Sequence, residues 1–450
     1  MSMTAPLAPT VSDTAVMPMG FRAGAATMGI KASGHPDVAM VAVAEGLPDA
    51  AVAAVYTTNA VLAAPIIISQ GHLAQNTPEG GGRFGRTRGV ICTAGCANAA
   101  TGPDGKEDQR LLARAMAEGL DIDATRTLAL STGLIGTRLP ARRIYGQVVD
   151  LARAGLGDSA SDLAAAADAM RTTDSRAKVA SVKLELPDTA GTAKWVTVTG
   201  IAKGVGMMHP RMATMLSILM TDAQAEPVVL HELLQQATVQ TWDQLTVDGD
   251  TSTNDTVFLL ASGASGCSPM LPGSTSADAL GDAIGAVARS LARQQAADGE
   301  GATTLISCTV MGALDDAEAR AVARSVVGSS LVKAAFHGRD PNWGRIVAAA
   351  GNARLADAAI LVAAGMGEEE ATRRAGSPAR LDVATLRVRL CGVEVFAGVP
   401  RGFDRESLRR LMDVPEATVE LDLAMGQGRG EAWGCDLSER YVRENSEYST

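Results

Sequence analysis

The run Lys203-Gly204-Val205-Gly206-Met207-Met208-His209-Pro210-Arg211-Met212-Ala213-Thr214 is followed at once by the apolar stretch Met215 to Met220. It places a hydroxyl where backbone cleavage would turn it into a nucleophile. The glycines let the chain bend and bring main-chain N–H groups close to a ligand, while Pro210 stiffens the approach. A threonine hydroxyl is a poor nucleophile until a base takes its proton. A free α-amine on the same residue, with a reference pKa of roughly 7.7–8.0, is such a base. That amine exists only if the Ala213–Thr214 bond is cut. On this run alone, Thr214 reads as an ordinary β-branched residue in a buried strand.

Other polar clusters point to less. Asp248-Gly249-Asp250-Thr251-Ser252-Thr253-Asn254 begins like a calcium loop, but its sixth position is Thr253 instead of Gly and its twelfth is Leu259 instead of Glu. Calcium is rejected, and the run reads as a turn network satisfying its own backbone. His209 lies near Thr214 in sequence, yet no metal-ligand spacing links it to His35, His72, His231 or His337. Neither a zinc site nor a Ser–His–Asp triad is expected. The segment Gln75 to Gly85 is glycine-rich but lacks the Lys-Ser/Thr ending of a phosphate loop, so it reads as a surface loop.

The elements that must position these groups read as mixed α and β. Val41 to Tyr56, Ala60 to Ser69 and parts of Val179 to Val198 carry the composition or alternation of strands. Glu107 to Gly119, Ser161 to Arg171, Val228 to Thr241, Ala277 to Ala297 and Asp315 to Val327 carry helical spacing. There is no strong internal repeat. A chain of 450 residues with 46% hydrophobic content buries a large core. Fifty acidic against forty basic residues give a net charge of −10 with no basic face, which disfavours nucleic acid. Six scattered cysteines fit a reducing compartment. No Lys or Arg precedes Arg22 and three prolines break the start, so no signal peptide is expected. No run approaches the ~20 apolar residues of a membrane span. A soluble cytoplasmic protein is expected.

Several segments together resemble the ornithine acetyltransferase (glutamate N-acetyltransferase) family of arginine biosynthesis, from about Gly20 to Thr450. They are Gly29-Ile30-Lys31-Ala32-Ser33-Gly34, Ser131-Thr132-Gly133-Leu134-Ile135-Gly136, Thr172-Thr173-Asp174, the Lys203 to Asp222 block, Val247 to Asp255, Asp298-Gly299-Glu300-Gly301-Ala302, Asp340-Pro341-Asn342-Trp343-Gly344-Arg345 and Trp433-Gly434-Cys435-Asp436-Leu437. The resemblance implies an α/β fold of layered helices and β-sheets, of the self-cleaving ornithine acetyltransferase or DmpA-like type, with a smaller C-terminal α/β domain. It implies cleavage after Ala213 into an α chain of residues 1–213 and a β chain of 214–450. The β chain would divide into residues 214–302 and a C-terminal domain of 303–450, and the subunits would assemble as α₂β₂. Thr214 would be the nucleophile, with its own α-amine as base, and Thr132 and Gly133 the oxyanion-stabilising pair. Thr172, Lys203, Thr214, Glu300, Asn445 and Thr450 match the family's substrate-binding positions. Lys203 suits a carboxylate and Glu300 a side-chain ammonium.

The implied reaction is ping-pong: N-acetylornithine acetylates Thr214, and glutamate takes the acetyl group away. No cofactor or metal is called for. Some family members also use acetyl-CoA, and these residues leave that question open. Two residues and one loop depart from the family pattern and bear on the substrate: Cys96 stands where an amide is usual, Glu444 where an aliphatic residue is common, and the Gln75 to Gly85 loop is longer than usual. Alternatives are a self-cleaving amidase or aminopeptidase using water as acceptor, an acyltransferase paralogue acting on another acyl-amino compound, and a silent binding protein that never cleaves.

Overall fold

A computed structural model describes residues 9–208 and 215–446. The chain divides into two compact units. The first comprises Met1–Gly204, Thr214–Ala237 and Ser252–Leu291; the second comprises Val205–Ala213, Thr238–Thr251 and Ala292–Thr450.

The first unit holds two sheets. One has four strands, in the order Phe21–Ala26, Val38–Val43, Gly89–Cys96, Thr127–Leu134. The other has six, in the order Phe84–Thr87, Ala50–Tyr56, Thr256–Ala261, Leu216–Thr221, Ala193–Lys203, Lys178–Pro187. Side chains alternate across a strand, and here both faces are covered. Ala39, Val41 and Val43 enter a core shared with Val52, Ile218, Met220 and Phe258 of the other sheet. Val38, Met40 and Ala42 instead meet Leu112 and Met116 of helix Gly102–Leu120 and Ile144 and Val148 of helix Ala141–Ala154. That double burial is why Val38–Val43 is apolar at every position.

The five expected helices are present as Gly102–Leu120, Ala160–Ala169, Pro227–Gln240, Thr275–Ala297 and Asp316–Gly328. Ser159 and Asp162 form a reciprocal capping box at the second of these. The expected strand pattern over Val179–Val198 is a hairpin, Lys178–Pro187 against Ala193–Lys203. Asp188 closes its turn by accepting from the Ala190 and Thr192 N–H groups at 2.9 and 2.8 Å.

Three expectations are corrected. Ala60–Ser69 is not a strand: helix Ala64–Asn76 begins there, with Pro65 in its first turn, where the missing N–H costs nothing. The β-branched Ile66-Ile67-Ile68 run suggested a strand, but tertiary packing decides: the Ser69 hydroxyl accepts from the Ala129 N–H at 2.9 Å. Val41–Tyr56 is two strands belonging to different sheets, Val38–Val43 and Ala50–Tyr56. Gln75–Gly85 is a loop only in its middle, with a short 3₁₀ turn at Pro78–Gly80 between the helix and strand Phe84–Thr87.

The second unit is built on a seven-stranded mixed sheet. Its strand Leu305–Ala313 pairs in parallel with Glu416–Asp422 and antiparallel with Gly428–Cys435. Ala319, Val322, Ala323, Val326 and Val327 of helix Asp316–Gly328 fall at three-to-four spacing and enter the core with Ile306, Val310 and Leu421. Among the described residues, no helix is long and apolar enough to cross a membrane.

Candidate active site

Thr132 and Gly133 end the strand Thr127–Leu134 where its parallel pairing with Gly89–Cys96 loses register. Gly133 has φ +130°, and a Cβ there would lie 2.3 Å from the Gly95 carbonyl carbon. Only glycine fits, and the register shift falls on the facing residues Gly95 and Cys96.

Lys203 ends the neighbouring sheet's strand Ala193–Lys203, paired with Leu216, two residues beyond Thr214. Its side chain is 4% exposed, and its Nζ donates to Thr132 Oγ1 at 3.1 Å. An ammonium has only donors. Thr132 therefore accepts, and its own hydroxyl hydrogen stays available to a developing oxyanion.

Asp174 holds the lysine in place. It lies 3.9 Å from Lys203 Nζ and accepts from Lys178 Nζ at 2.6 Å, from the Gly204 N–H at 2.8 Å and from the Thr172 N–H at 3.1 Å. Burial by itself raises this carboxyl, but the Lys203 and Lys178 charges and the Gly204 N–H outweigh it and hold it well below the usual range. Three of the predicted positions, Thr132, Lys203 and Thr172, are thus linked to one buried carboxylate, with Gly133 next to Thr132 in the chain.

The second unit holds another pair. The Asn445 side-chain amide donates to Glu300 Oε2 at 2.9 Å, and the Glu300 N–H donates to the Val205 carbonyl at 2.8 Å. A Cβ on Gly206 would lie 2.3 Å from Glu300 Oε2, so the carboxylate occupies the space that glycine leaves. Asp248 and Tyr441 lie in the same acidic neighbourhood. Burial, then the charges of Asp248, Glu300 and Asp250, push the Tyr441 hydroxyl up and keep it protonated. An acidic patch of this kind suits a cationic group.

The Asp248 run reads in sequence as a turn network, which the family resemblance lets be a scaffold near the site. The Asp248 carboxylate accepts from the Asp250 N–H at 3.2 Å, and it also accepts from the Met207 and Met208 N–H groups at 2.5 and 2.8 Å. The run therefore also holds the segment that leads to residue 209. Thr214 and Ala213, together with His209 and Thr450, lie outside the described residues.

The two departing residues are accommodated. The buried Cys96 thiol donates to the Thr137 carbonyl at 3.0 Å, and Glu444 pairs with Arg440 at 2.5 Å along its own helix. Sequence reasoning missed Asp174 as the counter-ion of Lys203. Its only signal was a carboxylate next to a predicted site threonine.

The family model for ArgJ matches residues 22–450. The chain belongs to the ArgJ family. It is similar to the arginine biosynthesis bifunctional protein ArgJ of Synechococcus, 41% identical over 98% of each chain. It is also 41% identical to the ArgJ protein of Thermus thermophilus, over 96% of this chain and 99% of that one. Among solved structures, Bacillus halodurans ArgJ matches at 34% identity, covering 50% of this chain and 95% of that chain, with a TM-score of 0.43. The ornithine acetyltransferase of Mycobacterium tuberculosis, solved with ornithine, matches at 35% identity over 45% and 98%, with a TM-score of 0.38. The ArgJ-family assignment makes the chain an acetyltransferase of arginine biosynthesis, as the sequence motifs led us to expect.

Proposed function

We propose that this chain moves the acetyl group of N-acetylornithine to glutamate through an acetyl-Thr214 intermediate, after cleaving itself between Ala213 and Thr214. The observation that supports this best is the buried Thr132–Lys203–Asp174 constellation, which leaves the Thr132 hydroxyl hydrogen to meet an oxyanion.

An unreactive amide needs a nucleophile, an oxyanion cradle and a proton for the departing amine. The Thr214 hydroxyl attacks the acetyl carbonyl while its α-amine takes the proton. Thr132 and Gly133 stabilise the tetrahedral oxyanion, and the α-amine then passes the proton to the leaving nitrogen of ornithine. Glutamate attacks the acetyl ester by the same steps in reverse. Glu300 and Asn445 are the positions assigned to the substrate's side-chain ammonium, Lys203 and Thr172 those assigned to its carboxylate, and Thr450 is a further substrate-binding position. The α chain is residues 1–213 and the β chain 214–450, paired as α₂β₂ in the cytoplasm. No metal or cofactor takes part, and acetyl-CoA is the second acetyl donor to test.

Labelled N-acetylornithine tests the reaction. Label appearing in N-acetylglutamate, in proportion to added glutamate, is the expected result. Free acetate formed regardless of glutamate would instead make the chain a hydrolase.

A further inference from the structure

Two polar residues enter the strand Thr256–Ala261, and the mechanism above uses neither. Asn254 is 5% exposed and Asp255 is fully buried. The Asn254 Nδ2 donates to the Ala97 carbonyl at 2.7 Å and to the Ser131 carbonyl at 2.8 Å. It thereby ties together the ends of strands Gly89–Cys96 and Thr127–Leu134, directly before Thr132. Its Oδ1 is oriented by the Thr253 hydroxyl at 2.7 Å.

The next residue grips a different strand. Asp255 Oδ1 accepts from the Met215 N–H at 3.1 Å, and the Thr256 N–H donates to the Met215 carbonyl at 3.1 Å. Met215 is therefore fixed on both its main-chain polar groups. Its nitrogen forms the peptide bond with residue 214. Asp255 Oδ2 is buried with no hydrogen-bond partner among the described residues.

We infer that Asn254 and Asp255 are positioning residues for self-cleavage, setting the oxyanion pair at Thr132–Gly133 against the start of the nucleophile strand through Ser131 on one side and Met215 on the other. This rests on the reading that the chain cleaves before Thr214. The chemistry balances with one water: the Thr214 oxygen bonds to the Ala213 carbonyl carbon, the carbon–nitrogen bond breaks and the hydroxyl proton ends on the freed amine; water then hydrolyses the resulting ester, its oxygen joining the Ala213 carboxyl group and one of its protons restoring the Thr214 hydroxyl. What the pair contributes is placement, and a misplacement of about 1 Å is enough to cost roughly 100-fold. Burial pushes the Asp255 carboxyl well up, which favours the neutral acid. An amide has nearly the same shape and keeps the acceptor for Met215, so charge is not what this position supplies.

The test is a cell-free synthesis time course of the full chain, with cleavage read on denaturing gels across pH and folding read by resistance to limited proteolysis. Asp255→Asn is expected to cleave within about threefold of wild type with an overlaying pH profile, and Asp255→Ala about 100-fold more slowly while as protease-resistant as Thr214→Ala. Cleavage of Asp255→Ala at the wild-type rate overturns the inference. So does a folded Asp255→Asn that stays whole, because it keeps the acceptor. If Asp255→Ala proves protease-sensitive, Asp255→Asn alone decides, by the same two results. A wild-type chain that never splits sinks the self-cleavage reading itself, and this inference with it.

Discussion

Lys203 can only donate, so its bond to Thr132 fixes which way the threonine hydroxyl faces. Thr132→Val removes that donor while keeping the shape. The loss of kcat for acetyl transfer is expected to be about 10²–10³-fold, measured by steady-state kinetics. Asp174 carries a second consequence, because its partner Lys178 is as fully buried as it is. Removing one member of such a pair leaves the other uncompensated, so Asp174→Asn is expected to lose about 3–5 kcal/mol in urea unfolding. The sign of the pH effect follows from the lowered carboxyl. A group that binds its proton less tightly when folded adds stability in full above its unfolded pKa of about 3.9 and loses it as pH falls toward the lowered folded value. Wild type should therefore show a steep acid loss that Asp174→Asn lacks.

At the scale of elements, Gly206 shows how backbone shape places a carboxylate. A methyl at this position meets only the end of the Glu300 side chain, so Gly206→Ala should fold normally but displace the carboxylate. KM for N-acetylornithine is expected to rise more than kcat falls. The helices were legible because three-to-four spacing survives in Gly102–Leu120 and Asp316–Gly328, whose buried residues lie on one face. Ile66-Ile67-Ile68 was not legible, because a β-branched run fits a strand or a packed helix and the deciding bond, Ser69 to Ala129, joins residues sixty apart. The Asp248–Asp255 run was opaque for the same reason. Its local turn bonds are visible in sequence, but its bonds to Met207, Met215 and Ser131 come from tertiary structure. Thr132, Gly133 and Lys203 enter the sequence reading only through family motifs, since Ser-Thr-Gly alone is a common turn.

At the scale of the whole chain, the match to curated ArgJ proteins runs almost end to end, so no large part lacks a counterpart. The C-terminal helix Glu439–Ser446 has no buried residues, yet it carries Asn445 to Glu300. Deleting residues 439–450 should leave the unfolding midpoint nearly unchanged. It should raise KM for N-acetylornithine by about tenfold or more, since loss of the Asn445 hydrogen bond to the Glu300 carboxylate alone costs about that much. The most direct test of the central claim is intact mass of the purified protein, before and after N-acetylornithine. The account predicts two chains, one ending at Ala213 and one beginning at Thr214, with about 42 Da added to the second after substrate. An active enzyme that remains a single 46.2 kDa chain, with no adduct, would contradict it.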